Sequence, residues 1–220
     1  MTNTNLRVMR EPLVIVGAGG HGRETAHVHL LSDPASGFLG FLDDRASGVT
    51  PEGWPILGVL DEAATYRKAM FLLAINDPRA RRSTAARLEC SGVSRWGSVL
   101  HPELRLHASV RLDVGCSILG GVQLTTNIRV GAHCILNRGS QIGHDCTLGS
   151  FCSVNPGALI AGQVTIGDGC EVGSGSTTRQ GTVLGRGATI GMGAVVVKPV
   201  EPDSVVVGNP ARPIRYNPTW

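Results

Sequence analysis

Aromatic side chains are scarce in this chain of 220 residues, with Phe, Tyr and Trp together at 4%. That scarcity excludes a core built on large rings, whereas 30 glycines suit tight corners and a small-residue interior. No apolar run approaches the roughly 20 residues that a bilayer-spanning helix needs. Residues 1–10 are polar, so no secretory leader is expected, and the expected setting is cytoplasmic, with no membrane insertion. The formal charge is +3 and no Lys/Arg run exists, which gives no footprint for nucleic acid. CxxC pairs are also missing, so the six cysteines do not read as a zinc site.

What the chain does have is a period of six. Counting from Leu100, the first position of every hexad is Leu, Ile or Val as far as Val196, broken only by Thr178. The fifth position is small or branched, as at Val110, Cys116, Val122, Ile128 and Ala158. The second position is often Gly, as at Gly131, Gly143, Gly149 and Gly167, where a corner with positive φ is expected. A fixed short period is the signature of a solenoid, and a hexapeptide period points to a parallel β-helix. Six residues hold one short strand and one turn. Three hexads close a triangular coil, so stacked neighbours lie eighteen residues apart, with coils about 4.8 Å from one another.

Register also explains the cysteines. Cys116, Cys134, Cys152 and Cys170 are eighteen apart, one ladder down one interior edge. Cys146 takes the same hexad position elsewhere, and Cys90 lies outside the repeat. They are expected to be small buried thiols. His101, His107, His133 and His144 do not recur at one corner, so a three-histidine metal site is not expected.

Before the repeat stands a different pattern. Residues 1–12 read as a lead-in and residues 13–16 as a buried strand. That strand runs into Gly17-Ala18-Gly19-Gly20-His21-Gly22, followed by a helix to about Leu31. Glycines there let a backbone approach a phosphate, and the helix N-terminus attracts anions. Residues 38–42 read as a second strand ending at Asp43-Asp44, carboxylates placed for sugar hydroxyls. A turn spans residues 51–55, and a short helix begins near Asp61. Residues 70–75 read as a third strand ending at Asn76, and residues 79–90 as a helix basic on its exposed face. This is a small Rossmann-like βαβαβ unit, one mononucleotide-binding half, with no room for the second half that a dinucleotide requires. The organisation expected is thus residues 1–98 for this unit, 99–207 for the β-helix, and a C-terminal tail from 208 to 220, irregular over its last seven residues.

The hexads hold one chemically rich stretch, residues 135–146, reading ILNRGSQIGHDC. His144 occupies a corner position that points outward, between the small Thr126 and Gly162 of neighbouring coils. Asp145 follows, and a carboxylate beside an imidazole orients it as a general base.

Taken together, the GAGGHG turn, the FLDD strand end (residues 41–44) and the ILNRGSQIGHDC segment resemble the sialic-acid-operon O-acyltransferase family. That family includes bacterial N-acetyltransferases of nucleotide-linked 4-amino sugars. The resemblance covers essentially the whole chain. It implies a mainly β protein, a left-handed parallel β-helix behind the α/β N-terminal part, assembled as a homotrimer. It implies acetyl-CoA as co-substrate, no metal, and direct transfer to the amine of a nucleotide-linked 4-amino-4,6-dideoxy sugar in surface glycan synthesis. His144 is then the base, Asp145 its partner, and Asn137 or a backbone N–H the support for the oxyanion. Gly19, Gly20, His21, Asp43, Asp44 and Asn76 would hold the nucleotide sugar. Ser153, Gly162, Ser174 and Met192 would lie along the coenzyme. O-acetylation of a sialic acid on the same fold is the alternative.

Overall fold

The computed structural model describes residues 11–32 and 37–217. Residues 1–10, within the expected lead-in, and 218–220, within the expected tail, lie outside the described residues. Four short parallel strands open the chain: β1 (Leu13–Val16), β2 (Phe38–Leu42), β3 (Ile56–Gly58) and β4 (Met70–Leu73). Their order in the sheet is β3-β2-β1-β4. Helix α1 (Gly20–Ser32) follows β1, a 3₁₀ helix (Leu60–Tyr66) follows β3, and α2 (Pro78–Cys90) follows β4. β1 is wholly buried, as a central parallel strand covered on both sides must be. Two differences from expectation stand out here. β3 follows the turn at 51–55, too short and too rich in neighbouring Pro and Gly to announce itself as a strand. α1 starts inside the glycine motif, at Gly20, so the motif supplies the first turn of the helix. Asp77 caps α2, its Oδ1 accepting from the Ala80 N–H at 2.7 Å, with Pro78 in the first turn.

The repeat folds as a left-handed parallel β-helix of three faces. Face I carries Val99–Leu100, Ser117–Ile118, Ile135–Leu136, Ser153–Val154, Glu171–Val172 and Thr189–Ile190. Face II runs from Gln123–Leu124 to Val195–Val196, and face III from Arg111–Leu112 to Val183–Leu184. From Val99 to Val196 the ladders pair residues eighteen apart, as in Gln141 with Leu159 and Ile142 with Ile160. The interior is a column of first- and fifth-position side chains, including Ile142, Cys146, Leu148, Cys152 and Val154. The five cysteines of the repeat are buried free thiols whose Sγ atoms lie on carbonyl oxygens of the next coil, for example Cys134 on Gly149 O at 3.0 Å, whereas Cys90 is exposed. Burial pushes the Cys170 thiol up to about 12, which leaves it unreactive at neutral pH.

The corners work differently from the expectation. Positive φ falls on the fourth position of the hexad, at Gly115, Gly121, Asn127, His133, Gly139, Asp145, Phe151 and onward to Gly193. The second-position glycines answer a contact instead. A Cβ on Gly143 would stand 2.6 Å from the Gly162 nitrogen, and one on Gly131 2.7 Å from the Gly149 carbonyl carbon. Coils approach there too closely for any side chain.

At the far end the tail is also more ordered than expected. Ser204–Val207 extends face I, and Arg212–Tyr216 pairs with it antiparallel, so residues 212–216 form a strand. That strand is exposed along its whole length, which is why no apolar pattern marked it.

Thr178 sits in the interior column between Ile160 and Val196, wholly buried, and its hydroxyl has no hydrogen-bond partner. A buried hydroxyl without a partner carries its desolvation cost uncompensated. Thr178→Val should therefore raise stability by about 1–2 kcal/mol in chemical denaturation. A variant no more stable than the parent would contradict this reading of the column.

Candidate active site

In the order β3-β2-β1-β4 the strand order reverses between β1 and β4, and open parallel sheets bind ligands in the crevice at such a switch point. The glycine turn stands on one lip and Asn76 on the other. Gly17 takes φ +102°, which starts the turn. A Cβ on Gly22 would collide with the Gly17 carbonyl, so helix and strand need that glycine to close. Gly19 and Gly20 are exposed, with nothing within 4 Å of an added Cβ. Open backbone at the N-terminus of a 13-residue helix is a ready place for phosphate oxygens.

His21 opens that helix. Both its ring nitrogens are buried without a hydrogen-bond partner. Burial, then the charges of Arg81 and Arg138, bring it down to about 4, so it is neutral at physiological pH. Asn76 is held from several sides. Its carbonyl accepts from Ser153 Oγ at 2.6 Å and Arg81 Nη1 at 3.0 Å, and its Nδ2 donates to Asn155 Oδ1 at 3.1 Å. Asn76 Oδ1 is buried and unpartnered. Asn137 and Arg138 stand on the same edge of the prism as Asn155, the edge between faces I and II. Asn137 is buried, and Arg138 pairs with Glu24 of α1 at 3.2 Å. Ser174 and Met192 continue this edge upward, the Gly193 N–H donating to the Ser174 carbonyl at 2.9 Å. Met192 is 81% exposed.

Three of the expected residues also make bonds within the chain. Asp44 is committed to its own unit: Oδ1 accepts from the Leu60 N–H at 2.9 Å and Oδ2 pairs with Arg87 at 2.6 Å. The Leu60 bond, then Arg87, hold its carboxyl below the usual range. Asp43 serves the glycine turn itself, its Oδ2 accepting from the Ala18 N–H at 2.7 Å. Ser153 is fully buried beneath the N-terminal unit, bonded to Asn76 and to Arg81 Nη1 at 3.0 Å. It has no surface left for a coenzyme.

Arg81 is what the sequence hid. Its helix reads as basic and exposed, yet the side chain is 0% exposed. It donates to the carbonyls of Ile75 and Asn76 in its own unit and to those of His133 and Phe151 on the prism. Burial pulls it down to about 10, which leaves it charged. His133 stacks on Phe151 at 5.0 Å and meets Trp96 edge-on at 4.7 Å, closing the junction with two of the scarce aromatic rings.

His144 and Asp145 occupy a different edge, between faces II and III. The N-terminal unit covers face I, through Thr25 against Ser117 and Ser32 against the Leu100 carbonyl. In a triangular prism, the II/III edge lies opposite that face. His144 Nδ1 and Asp145 Oδ2 are 2.7 Å apart, and both side chains are about half exposed. Asp145 has φ +61°. Its Oδ1 accepts from Asn127 Nδ2 at 2.6 Å; that bond, then His144, hold its carboxyl below the usual range. An ionised Asp145 makes Nδ1 the protonated nitrogen of a neutral His144 and leaves Nε2 free to accept a proton. Gly162 lies beneath the ring, where an added Cβ would sit 2.5 Å from Nε2. Among the described residues, no group of three or more His, Cys, Asp and Glu stands where it would hold a metal, and no helix is long and apolar enough to cross a membrane.

The comparisons follow the same division of the chain. Residues 12–88 match the PglD N-terminal domain family. Residues 139–180 match the bacterial transferase hexapeptide family, and residues 163–198 the hexapeptide repeat of succinyl-transferase. The acetyltransferase domain of PglB from Neisseria gonorrhoeae is 30% identical, with 93% of this chain and 100% of that one covered at a TM-score of 0.84. The chain belongs to the hexapeptide-repeat sugar acyltransferases. It is an acyltransferase of that family. A perosamine N-acetyltransferase from Caulobacter crescentus, solved with CoA and GDP-perosamine, is 26% identical over 93% of this chain and 97% of that one, TM-score 0.85. WeeI from Acinetobacter baumannii is 28% identical over 92% and 99%, TM-score 0.79. No curated protein sequence matches significantly.

The buried histidines set a pH dependence. His21 and His133 are both pulled down to about 4, by burial first and then by Arg81, while the unfolded chain protonates near 6.5. A depressed folded pKa gives stability that is complete above 6.5 and lost as pH falls toward 4. His21 alone accounts for about 3 kcal/mol of that loss. Urea midpoints should fall steadily between pH 7 and pH 4, and a flat profile would contradict the burial of neutral rings.

Proposed function

We propose that the chain transfers an acetyl group from acetyl-CoA to the amine of a nucleotide-linked 4-amino-4,6-dideoxy sugar, in surface glycan synthesis. The observation that carries this is the free Nε2 of His144, backed by Asp145, on an exposed edge. As the amine nitrogen attacks the thioester carbonyl, Nε2 takes its proton. The N–C bond forms, the C–S bond breaks, and the departing thiolate receives the proton. Asp145 steadies the imidazolium that forms between the two transfers.

The working site spans two copies of the chain in a homotrimer. Within one chain, the cradle of Gly19, Gly20, His21 and Asn76 lies against face I and the I/II edge, and His144 lies on the opposite edge. Setting the II/III edge of one copy against the I/II edge of the next joins them. Asn137 would then come from the second copy, in reach of the oxyanion. Ser174 and Met192 would form one wall of the coenzyme groove, with Gly162 on the other. The rail suits an extended thioester: it is exposed, runs along the prism and offers backbone groups coil after coil. The relative with GDP-perosamine bound supports an amine acceptor over a sialic acid hydroxyl.

Thioester release should appear with UDP- or GDP-linked 4-amino-4,6-dideoxy sugars and not with free sialic acid. In the productive pair, His144→Ala should lower kcat by roughly 10²–10⁴-fold while binding of acetyl-CoA survives. An unchanged kcat would remove His144 as the base.

A further inference from the structure

Asp145 has a partner that neither the hexad pattern nor the family resemblance singles out. Asn127 stands eighteen residues earlier, at the same fourth position of the coil below. Its Nδ2 donates to Asp145 Oδ1 at 2.6 Å, and this is the first cause of the depressed Asp145 carboxyl. Asn127 is itself fixed from below. Its backbone N–H donates to Ser109 Oγ at 2.6 Å, and that hydroxyl lies 2.8 Å from His107 Nδ1. The Ser109 N–H also donates to His107 Nδ1, at 3.2 Å, so that nitrogen is an acceptor and the Ser109 hydroxyl hydrogen points to it. A run of hydrogen bonds therefore climbs three coils of the II/III edge, with Asn127 donating to Ser109 Oγ below and to Asp145 Oδ1 above, and Asp145 accepting from both Asn127 and His144.

We infer that Asn127 is a positioning residue for the His144–Asp145 pair: its amide holds Asp145 Oδ1 so that Oδ2 remains on His144 Nδ1. Two features of the II/III edge support this over a merely structural bond. The ladder does not need the Asn127 side chain, since Gly115, Gly121 and Gly139 fill fourth positions with none. The same amide also addresses the oxygen that His144 leaves free. A carboxylate with one oxygen tied turns less readily about its terminal bond, and the tautomer of the adjoining imidazole is set by the hydrogen bond at its other nitrogen. The inference rests on the acetyltransferase reading for its kinetics, and not for its structural content.

The substitution that isolates the amide is Asn127→Gly. Asn127 has φ +53°, a conformation glycine adopts freely, and glycine is what most fourth positions carry. The fold should be retained, with an unchanged circular dichroism spectrum. The kcat should drop about tenfold, in the range of a lost charge-assisted hydrogen bond, with the KM for acetyl-CoA unchanged. Asp145→Gly should drop it further, and the double variant should be no slower than Asp145→Gly alone, since Asn127 acts only through Asp145. Losses that multiply in the double variant, or a parental kcat in Asn127→Gly, overturn the inference. Nitrogen-15 NMR of the His144 ring reads the same coupling with no substrate present. The parent should hold the Nδ1–H tautomer, and Asn127→Gly should shift the ring toward a mixture. A chain inactive on every sugar would sink the acetyltransferase reading, and the NMR result would still decide for or against Asn127.

Discussion

The stacking of coils at a spacing of eighteen residues is the constraint on which the rest of the structure depends. Two backbone requirements enforce it. Fourth positions from Gly115 to Gly193 take φ between +53° and +74°, and second positions such as Gly143 and Gly131 leave no room for a Cβ between coils. With no insertion anywhere in the repeat, each residue is locked to one edge or face for the length of the prism. Chemistry on such a scaffold is assigned by arithmetic: Ser109, Asn127 and Asp145 must share an edge, as must Arg138, Ser174 and Met192. The same arithmetic forbids His144 from sharing an edge with Asn137, though they are close in sequence.

The N-terminal unit joins this prism through a buried cation. Taking a guanidinium out of water costs several kcal/mol, and among the described residues no carboxylate is in hydrogen-bond contact with Arg81. Its compensation is five hydrogen bonds, four to carbonyls and one to Ser153, drawn from both units. Planar geometry lets one side chain reach them all, which a lysine would not do. The consequence for function is positional. Arg81 and Ser153 pin the Asn76 carbonyl to face I, and so fix the crevice lip relative to the I/II edge.

Much of this was legible in the hexad period, because a strict repeat maps sequence onto faces without any knowledge of contacts. The interior column, the cysteine ladder and the outward corner of His144 all follow from counting. What counting misses is whatever depends on packing between units. Arg81 lies on a helix of the same charge pattern as a solvated one, and only the prism behind it reveals its burial. Asp43 and Asp44 end a strand where ligands commonly bind, and their bonds to the Ala18 N–H, the Leu60 N–H and Arg87 are not visible in the sequence. Glycine at second positions was assigned to φ, whereas crowding is the cause, a distinction that composition does not carry. Asn127 was within reach, since it stands eighteen residues before Asp145 in the same column.

Under the proposed function, no single chain holds a whole site. Gly19→Leu fills the cradle without meeting any atom of its own chain within 4 Å of the new Cβ, and His144→Ala removes the base. Each should be inactive alone. Co-assembled in equal amounts, they should recover about a quarter of the parental rate by random assortment in a symmetric oligomer, because some junctions pair an intact cradle with an intact base. Mixed assemblies as inactive as either variant would contradict a site shared between copies.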